Sequence, residues 1–207
     1  MTVGLVAAAV ENDLCSGLLG CPAVDCEAVL GPWGSARERL VRGAGRLLPR
    51  RGRCRGCRRT QVLLPASVLL RRADAATVIG LALLAKAGGA GHRPIAVLVN
   101  VPSSTVRGWL RRIAIVAERV LEVLAAAAAQ LGTEFVPPAP TAEPVTAVVE
   151  MLGVLSAAIA RRLGGSCSPW RLATVITGGR LLVPAGPDLR SGWALGRNTN
   201  SLWAAGP

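Results

Sequence analysis

Four cysteines are the residues whose type and spacing could do chemistry in this chain. Cys21 and Cys26 stand in the string CPAVDC and Cys54 and Cys57 in CRGC, with 27 residues between the pairs. Two pairs of thiolates, each held by a turn, are what a tetrahedral zinc site needs. The spacing of the second pair is regular for a zinc knuckle. The first pair is wider than usual, and the gap exceeds the common range of about 15–20 residues. Two other uses of such cysteines stay open, a redox pair and inert structural thiols. Redox exchange would gain from the surrounding arginines, which lower a thiol pKa, but it wants a βαβ surround that is not visible before Cys54. Cys15 can stand in for a missing ligand, and Cys167, near Trp170, reads as a core thiol. His92, the only histidine, reads as a cap or a polar surface group. One structural Zn2+ held by Cys21, Cys26, Cys54 and Cys57 is the expected cofactor, and it would supply folding energy to a segment too rich in Gly and Arg to fold on apolar burial.

The second pair lies inside a run of positive charge formed by Arg50, Arg51, Arg53, Arg55, Arg58 and Arg59. The chain has 24 Lys and Arg against 12 Asp and Glu, a formal charge of +12. All but one of the bases are Arg, whose planar fork grips phosphates and base edges bidentately. A GC-rich genome would favour Arg over Lys, but it does not explain the placement. Residues 1–30 hold Glu11, Asp13, Asp25 and Glu27 and no base, whereas residues 33–72 hold twelve Arg and a single acid, Glu38. So uneven a field points to a polyanionic partner, most simply nucleic acid.

A third constellation lies downstream in HRPIAVLVNVPSSTVRGWLRRI, residues 92–113. Ile95, Ala96 and Val99 share one face of a short helix. Asn100 follows where the chain must turn, and Asn tolerates the left-handed conformation. Val101 can tuck into the core, and Pro102 and Ser103 open the next helix. There Val106, Trp109, Leu110 and Ile113 form one apolar stripe, leaving Ser103, Ser104, Thr105, Arg107, Arg111 and Arg112 free on its N-terminal half. This pattern is expected of a helix-turn-helix whose second helix reads the major groove. Arg can fork onto guanine, while Ser and Thr can bond phosphates or bases. The plainer alternative is a helical hairpin with a solvated basic face.

These constellations must be positioned by elements that the composition predicts. Ala, Leu and Val dominate the apolar half of the residues, with one Phe and no Tyr, which favours packed helices over a β-sandwich. The expected fold is mainly α, with a helix-turn-helix domain, a small N-terminal β module of zinc-ribbon type and an irregular C-terminal tail. Residues 1–19 read as an N-terminal segment, 20–66 as the zinc-ribbon-like module and 67–132 as the helical domain. A Pro-rich linker spans 133–144, and a further helix and loop-rich tail span 145–207. Asp74 is the expected N-cap of the first helix in the helical domain. The long helix from Ser103 carries Ile113, Val116, Val120, Leu124 and Leu131 at helical spacing. That stripe could pair with a second copy, but packing on helix 145–163 is the preferred expectation.

Residues 20–203 resemble a family of actinobacterial proteins that combine a zinc ribbon with a helix-turn-helix. The likeness is carried by RCRGCRRTQVLLPASVLLRRADAATVIGLAL, GHRPIAVLVNVPSSTVRGWLRR, SPWRLATVITGGRLLVP and the closing NTN. Members are carried in genomes as a domain of unknown function, often encoded beside insertion-sequence transposases and integrases. The resemblance implies DNA binding linked to mobile elements and no established enzymatic activity. In related sequences the first pair is typically Cys-Pro-x-Cys; here Cys26 arrives two residues later.

The expected function is sequence-specific binding of double-stranded DNA, as a transcriptional regulator or an accessory factor of a mobile element. In that reading the arginines of residues 50–59 hold phosphates while helix 103–112 reads bases. A zinc-stapled adaptor for RNA, a transposase or an integrase is the alternative. A catalytic nuclease is disfavoured because its two-metal chemistry needs converging carboxylates, and Glu143, Glu150 and Asp188 show no such spacing. The chain is therefore expected not to be an enzyme, and homodimerisation stays possible. LLGC at 18–21 imitates a lipoprotein box but lacks a preceding positive charge. The apolar runs at 75–85 and 145–160 are expected to be too short, or interrupted by Glu150, for a membrane span. A cytoplasmic location, with reduced thiols, is expected.

Overall fold

The computed structural model describes residues 1–23, 25–130, 139, 143–166 and 168–183. Strands occupy the Gly/Arg-rich N-terminal part and helices the Ala/Leu/Val-rich remainder, so that the protein is mainly α. Much of the linker, Leu131, Cys167 and residues 184–207 with Asp188 and the closing NTN lie outside the described residues.

The N-terminal part is built on a three-stranded antiparallel sheet. Its strands are β2 (Leu30–Ser35), β5 (Arg50–Cys54) and β6 (Thr60–Val62), in the order β2-β5-β6. The pleat sends alternate residues of a strand to opposite faces. On β5, Gly52 and Cys54 are buried while Arg51 is exposed and Arg53 partly so. Behind the inner face lies a compact core of Val3, Val10, Leu14, Leu19, Leu30, Cys54 and Leu63. Gly52 lets helix α1 (Ala7–Cys15) approach closely, because a Cβ there would stand 3.1 Å from Leu14 and 3.2 Å from Leu30. Residues 1–19 contribute Val3, Val10, Leu14 and Leu19 to this core, so the N-terminal segment packs on the strands of 20–66. The physical reason is size: the small sheet buries its inner face only when α1 covers it. Strand β1 (Thr2–Val3) completes the tie by pairing in parallel with β7 (Leu64–Pro65). Between β2 and β5 the chain inserts a hairpin, β3 (Arg39–Val41) with β4 (Gly45–Leu47).

The helical part comprises α2 (Ala76–Ala87), α3 (His92–Val99), α4 (Ser103–Gln130), α5 (Pro144–Leu163) and α6 (Pro169–Ile176). Asp74 does not cap α2. Ala75 takes that position without a side-chain bond. Asp74 is instead buried, with Oδ1 3.2 Å from Arg42 Nη1 but without hydrogen-bond geometry. The backbone of Arg42 also bridges to Ala73 and Ala75, and this draws the carboxylate away from the helix end.

Asn100 ends α3 in the left-handed region, at φ 51° and ψ 54°, as its residue type predicts. Val101 turns inward and α4 begins two residues later, its Val106 N–H donating to the Pro102 carbonyl at 3.2 Å. The stripe Val106, Trp109, Ile113, Val116, Val120 and Leu124 is buried in the same core as Val148, Leu152 and Leu155 of α5. The stripe that could have paired two copies is therefore satisfied within one chain. Glu143 caps α5, its Oε2 accepting from the Thr146 N–H at 2.6 Å, with Pro144 in the first turn. Among the described residues α5 is the helix long and apolar enough to cross a membrane; Glu150 does not break it, and its apolar side faces α4. α6 packs on α2 within the shared core and brings Trp170 against Gly80, where a Cβ would come within 2.0 Å of the ring. Beyond α6 the chain returns to the N-terminal part, with the Gly179 carbonyl accepting from Leu70 N–H at 2.8 Å.

Candidate metal centre and basic surfaces

Two turns bring four thiols together. The first leaves the sheet at Gly20, which bridges to Val29, and the Cys21 N–H donates to the Ala28 carbonyl at 2.8 Å. The second begins at the end of β5 and closes when the Cys54 N–H donates to the Arg59 carbonyl at 2.9 Å. Within it Arg58 takes φ 63°, a left-handed conformation that residues other than Gly, Asn and Asp seldom adopt. The two turns meet at Gly56. A Cβ on that residue would lie 2.8 Å from Ala28 Cβ and 3.5 Å from Cys26 Sγ. Sequence reading did not single out Gly56, although a Gly inside Cys-x-x-Cys is the kind of signal that marks a close backbone approach.

Cys21 Sγ lies 3.6 Å from Cys57 Sγ, and Cys26 Sγ lies 3.5 Å from Cys54 Sγ. All four sulfurs fall within 4.8 Å of one another, so the set can hold a metal ion. Neither close pair is a disulfide, whose sulfurs stand at about 2.05 Å. Four thiolates around one ion at a bond length of about 2.3 Å would stand about 3.8 Å apart; the two close pairs are near that value and the other separations reach at most 4.8 Å. Cys26, despite its late arrival in the first pair, completes the set; Cys15 is exposed at the end of α1 and stands outside it.

The surroundings treat the thiols unequally. Burial pushes the Cys54 thiol up, but backbone N–H groups of Cys57 and Gly56 and the thiols of Cys26 and Cys57 bring it down to about 6. Cys21 is raised to about 12, by burial and by the thiols of Cys57, Cys54 and Cys26, against a lowering bond from the Ala23 backbone. One thiolate forms readily, and further ones in the same space meet its charge. A bound cation removes that repulsion, so the donor set suits an ion that binds thiolates.

The arginines of residues 50–59 separate into groups with different surroundings. Arg51, Arg55, Arg58 and Arg59 are exposed. Arg53 is partly covered because its guanidinium lies 4.4 Å over the Trp33 ring and its Nε donates to the Arg58 carbonyl at 3.3 Å. Arg50 points to the other face of the sheet. Its Nε and Nη2 donate to the two carboxylate oxygens of Glu11 at 2.7 and 2.9 Å, and its Nη1 to the Gly34 carbonyl at 2.9 Å and Ser35 Oγ at 3.3 Å. Its charge is thus matched within the fold, whereas among the described residues Arg51, Arg55, Arg58 and Arg59 form no ion pair.

On α4, Ser103, Ser104, Arg107 and Arg111 are exposed. At 100° per residue they fall within one arc, opposite the buried stripe. Thr105 and Arg112 are half-buried. Arg112 folds back over Gly108, its Nη1 2.9 Å from where a Cβ would stand. Nearby Arg72, which sequence reading did not single out, donates from Nη2 to the Leu182 carbonyl at 3.1 Å. Burial, then the charges of Arg112 and Arg71, lower its pKa. His92 opens α3 and is half-buried.

No family model, curated protein or solved structure matches the chain.

Proposed function

We propose that the protein binds double-stranded DNA in a sequence-specific manner through a helix-turn-helix formed by α3 and α4, and that the four cysteines hold one structural Zn2+ in a ribbon-like module. The observation that carries this reading is the exposed arc of Ser103, Ser104, Arg107 and Arg111 on α4, behind a tight left-handed turn and opposite a fully buried stripe. Such an arc at the N-terminal end of a second helix can enter the major groove, where a forked Arg distinguishes guanine. The excess of Arg over acid supplies the sequence-independent attraction to phosphate. Arg51, Arg55, Arg58 and Arg59 are the exposed members of that field; Arg50, tied to Glu11, supports the fold instead. Zinc follows from the donor set, since four thiolates in a tetrahedron suit a d10 dication that tolerates that geometry.

A binding role also accords with the use of the acids. Glu11, Glu38, Asp74 and Glu122 lie against Arg50, Arg46, Arg42 and Arg119, and Glu143 caps α5. Among the described residues the four cysteines are the group of metal-ligating side chains that converges. A role as regulator or accessory factor of a mobile element rests on the sequence resemblance.

Selection of duplex sites from a random pool with the intact protein tests this reading. Enrichment of one motif is expected, and recovery of unenriched sequence would transfer the reading to a zinc-stapled adaptor.

A further inference from the structure

The sheet β2-β5-β6 has a second face, whose exposed arginines the proposed DNA reading uses only for their charge and whose aromatic residue it does not use at all. Its inner face is closed by α1 and the small core, and the residues that alternate with that core point outward. In the antiparallel register Arg53 pairs with Gly31 and Thr60, and Arg51 pairs with Val62. Trp33 belongs to this outer face, with 51% of its surface exposed. Alternation along β2 puts it there, since Leu30 and Pro32 pair with the inward Cys54 and Gly52, and a register shift follows between Pro32 and Ser35. Gly34 takes φ 74° in the bulge, and Arg50 clamps it from below by donating to Gly34 O and Ser35 Oγ. A large aromatic side chain on a small sheet is usually turned inward; here the alternation of β2 turns it outward.

The three strands themselves carry arginine and no acid. Arg51, Arg53 and Arg55 stand beside the ring, with Arg58 and Arg59 in the adjoining turn, and between Leu30 and Val62 the sequence holds a single acid, Glu38, in the hairpin segment. Arg53 lies over the Trp33 ring at 4.4 Å, a cation–π contact that orients the indole and leaves about half of its surface exposed. A held aromatic ring among guanidinium groups, on an open pleated surface, suits a strand whose bases are unstacked and free to lie on it. Duplex DNA keeps its bases stacked inside and offers no such face to a flat sheet, so the features match a single strand.

We infer that the outer face of β2-β5-β6 is a binding platform for single-stranded nucleic acid, with a base stacked on Trp33 and the flanking phosphates met by Arg51, Arg55 and Arg59. The surface is separate from the α4 arc and its stacking ring does not depend on the helix-turn-helix reading, while Arg51, Arg55 and Arg59 are shared with the phosphate contacts proposed above.

The test uses the full-length, zinc-loaded chain with fluorescent dodecamers of thymidylate and of uridylate, and a random duplex of equal length, all by anisotropy. Trp33→Ala should weaken binding of the single strands roughly five- to 150-fold, the range that loss of one base–aromatic stack produces. Duplex affinity should change by less than about twofold, and Trp33→Phe should restore most of the single-strand binding. Tighter binding of the uridylate strand would make the natural ligand RNA, and the reverse DNA. Unchanged single-strand affinity in Trp33→Ala, or an equal loss on duplex, overturns the inference. Should Trp33→Ala fail to fold, indole fluorescence decides: quenching by thymidylate should be present in the wild type and largely absent in Trp33→Phe, and equal quenching in both overturns the inference.

Discussion

Arg50 grips both carboxylate oxygens of Glu11, 39 residues earlier in the chain, while its remaining nitrogen holds the bulge at Gly34 and Ser35. One guanidinium thereby ties α1 to the sheet and sets the shape of the strand that carries Trp33. Bidentate, charge-assisted bonds of this kind are stronger than ordinary ones, but both side chains are partly exposed, which reduces their worth. Glu11→Gln is therefore expected to lower stability by about 1 kcal/mol, read from urea unfolding; no change would mean that the pair is fully screened.

The four-thiol centre makes a prediction of stoichiometry. Purified under reducing conditions, the protein should carry about one zinc per chain, and Cys57→Ser should lose most of it together with thermal stability. Cys15→Ser should change neither, because that thiol stands outside the cluster. Absence of metal from the wild type would remove zinc from the account.

Gly56 joins the two cysteine turns through backbone proximity. Gly56→Ala should destabilise the metal-loaded protein by about 1–3 kcal/mol, the usual cost of overpacking a close contact. Gly80→Ala should cost a similar amount through its contact with Trp170, despite the better helix propensity of Ala, which works against the loss by about 1 kcal/mol. Chemical denaturation measures both, and truncation of Trp170 in the Gly80→Ala background should recover part of the second loss.

Asp74 gives a pH signature. Burial raises its pKa, and Arg42 offsets this only in part. A carboxyl whose folded-state pKa lies above its unfolded value contributes stability at low pH and loses that contribution as pH rises through the folded value. Asp74→Asn mimics the protonated form, so it should be more stable than the wild type at neutral pH. The advantage should vanish below the ordinary carboxyl range of about 4. Thermal unfolding across that range checks the sign. A variant less stable than the wild type at neutral pH would mean that the attraction of Arg42 outweighs the burial of the charge.

The helical elements were legible because their signals are local. The 3.6-residue spacing from Val106 to Leu124 and the turn at Asn100 each lie within a few residues of what they specify, and so does the spacing of Cys54 and Cys57. The features that escaped depend on residues far apart. Nothing near Glu11 announces Arg50, and nothing near Trp33 announces Arg53 across the sheet. Asp74 shows a local rule losing to a tertiary contact: its position suits an N-cap, but the backbone ties of Arg42 to Ala73 and Ala75 hold it elsewhere. The same distinction explains why α1 looked separate. Its nine residues have no strong helical stripe, and its role appears only when Leu14 meets Gly52 and Leu30.

The most direct test of the central claim is the affinity of Arg107→Ala for a selected duplex site, measured beside random duplex at one salt concentration. Base readout by α4 predicts a loss of about 1–3 kcal/mol on the selected site and little change on random DNA. Equal losses on both would place Arg107 on phosphate alone and contradict the claim.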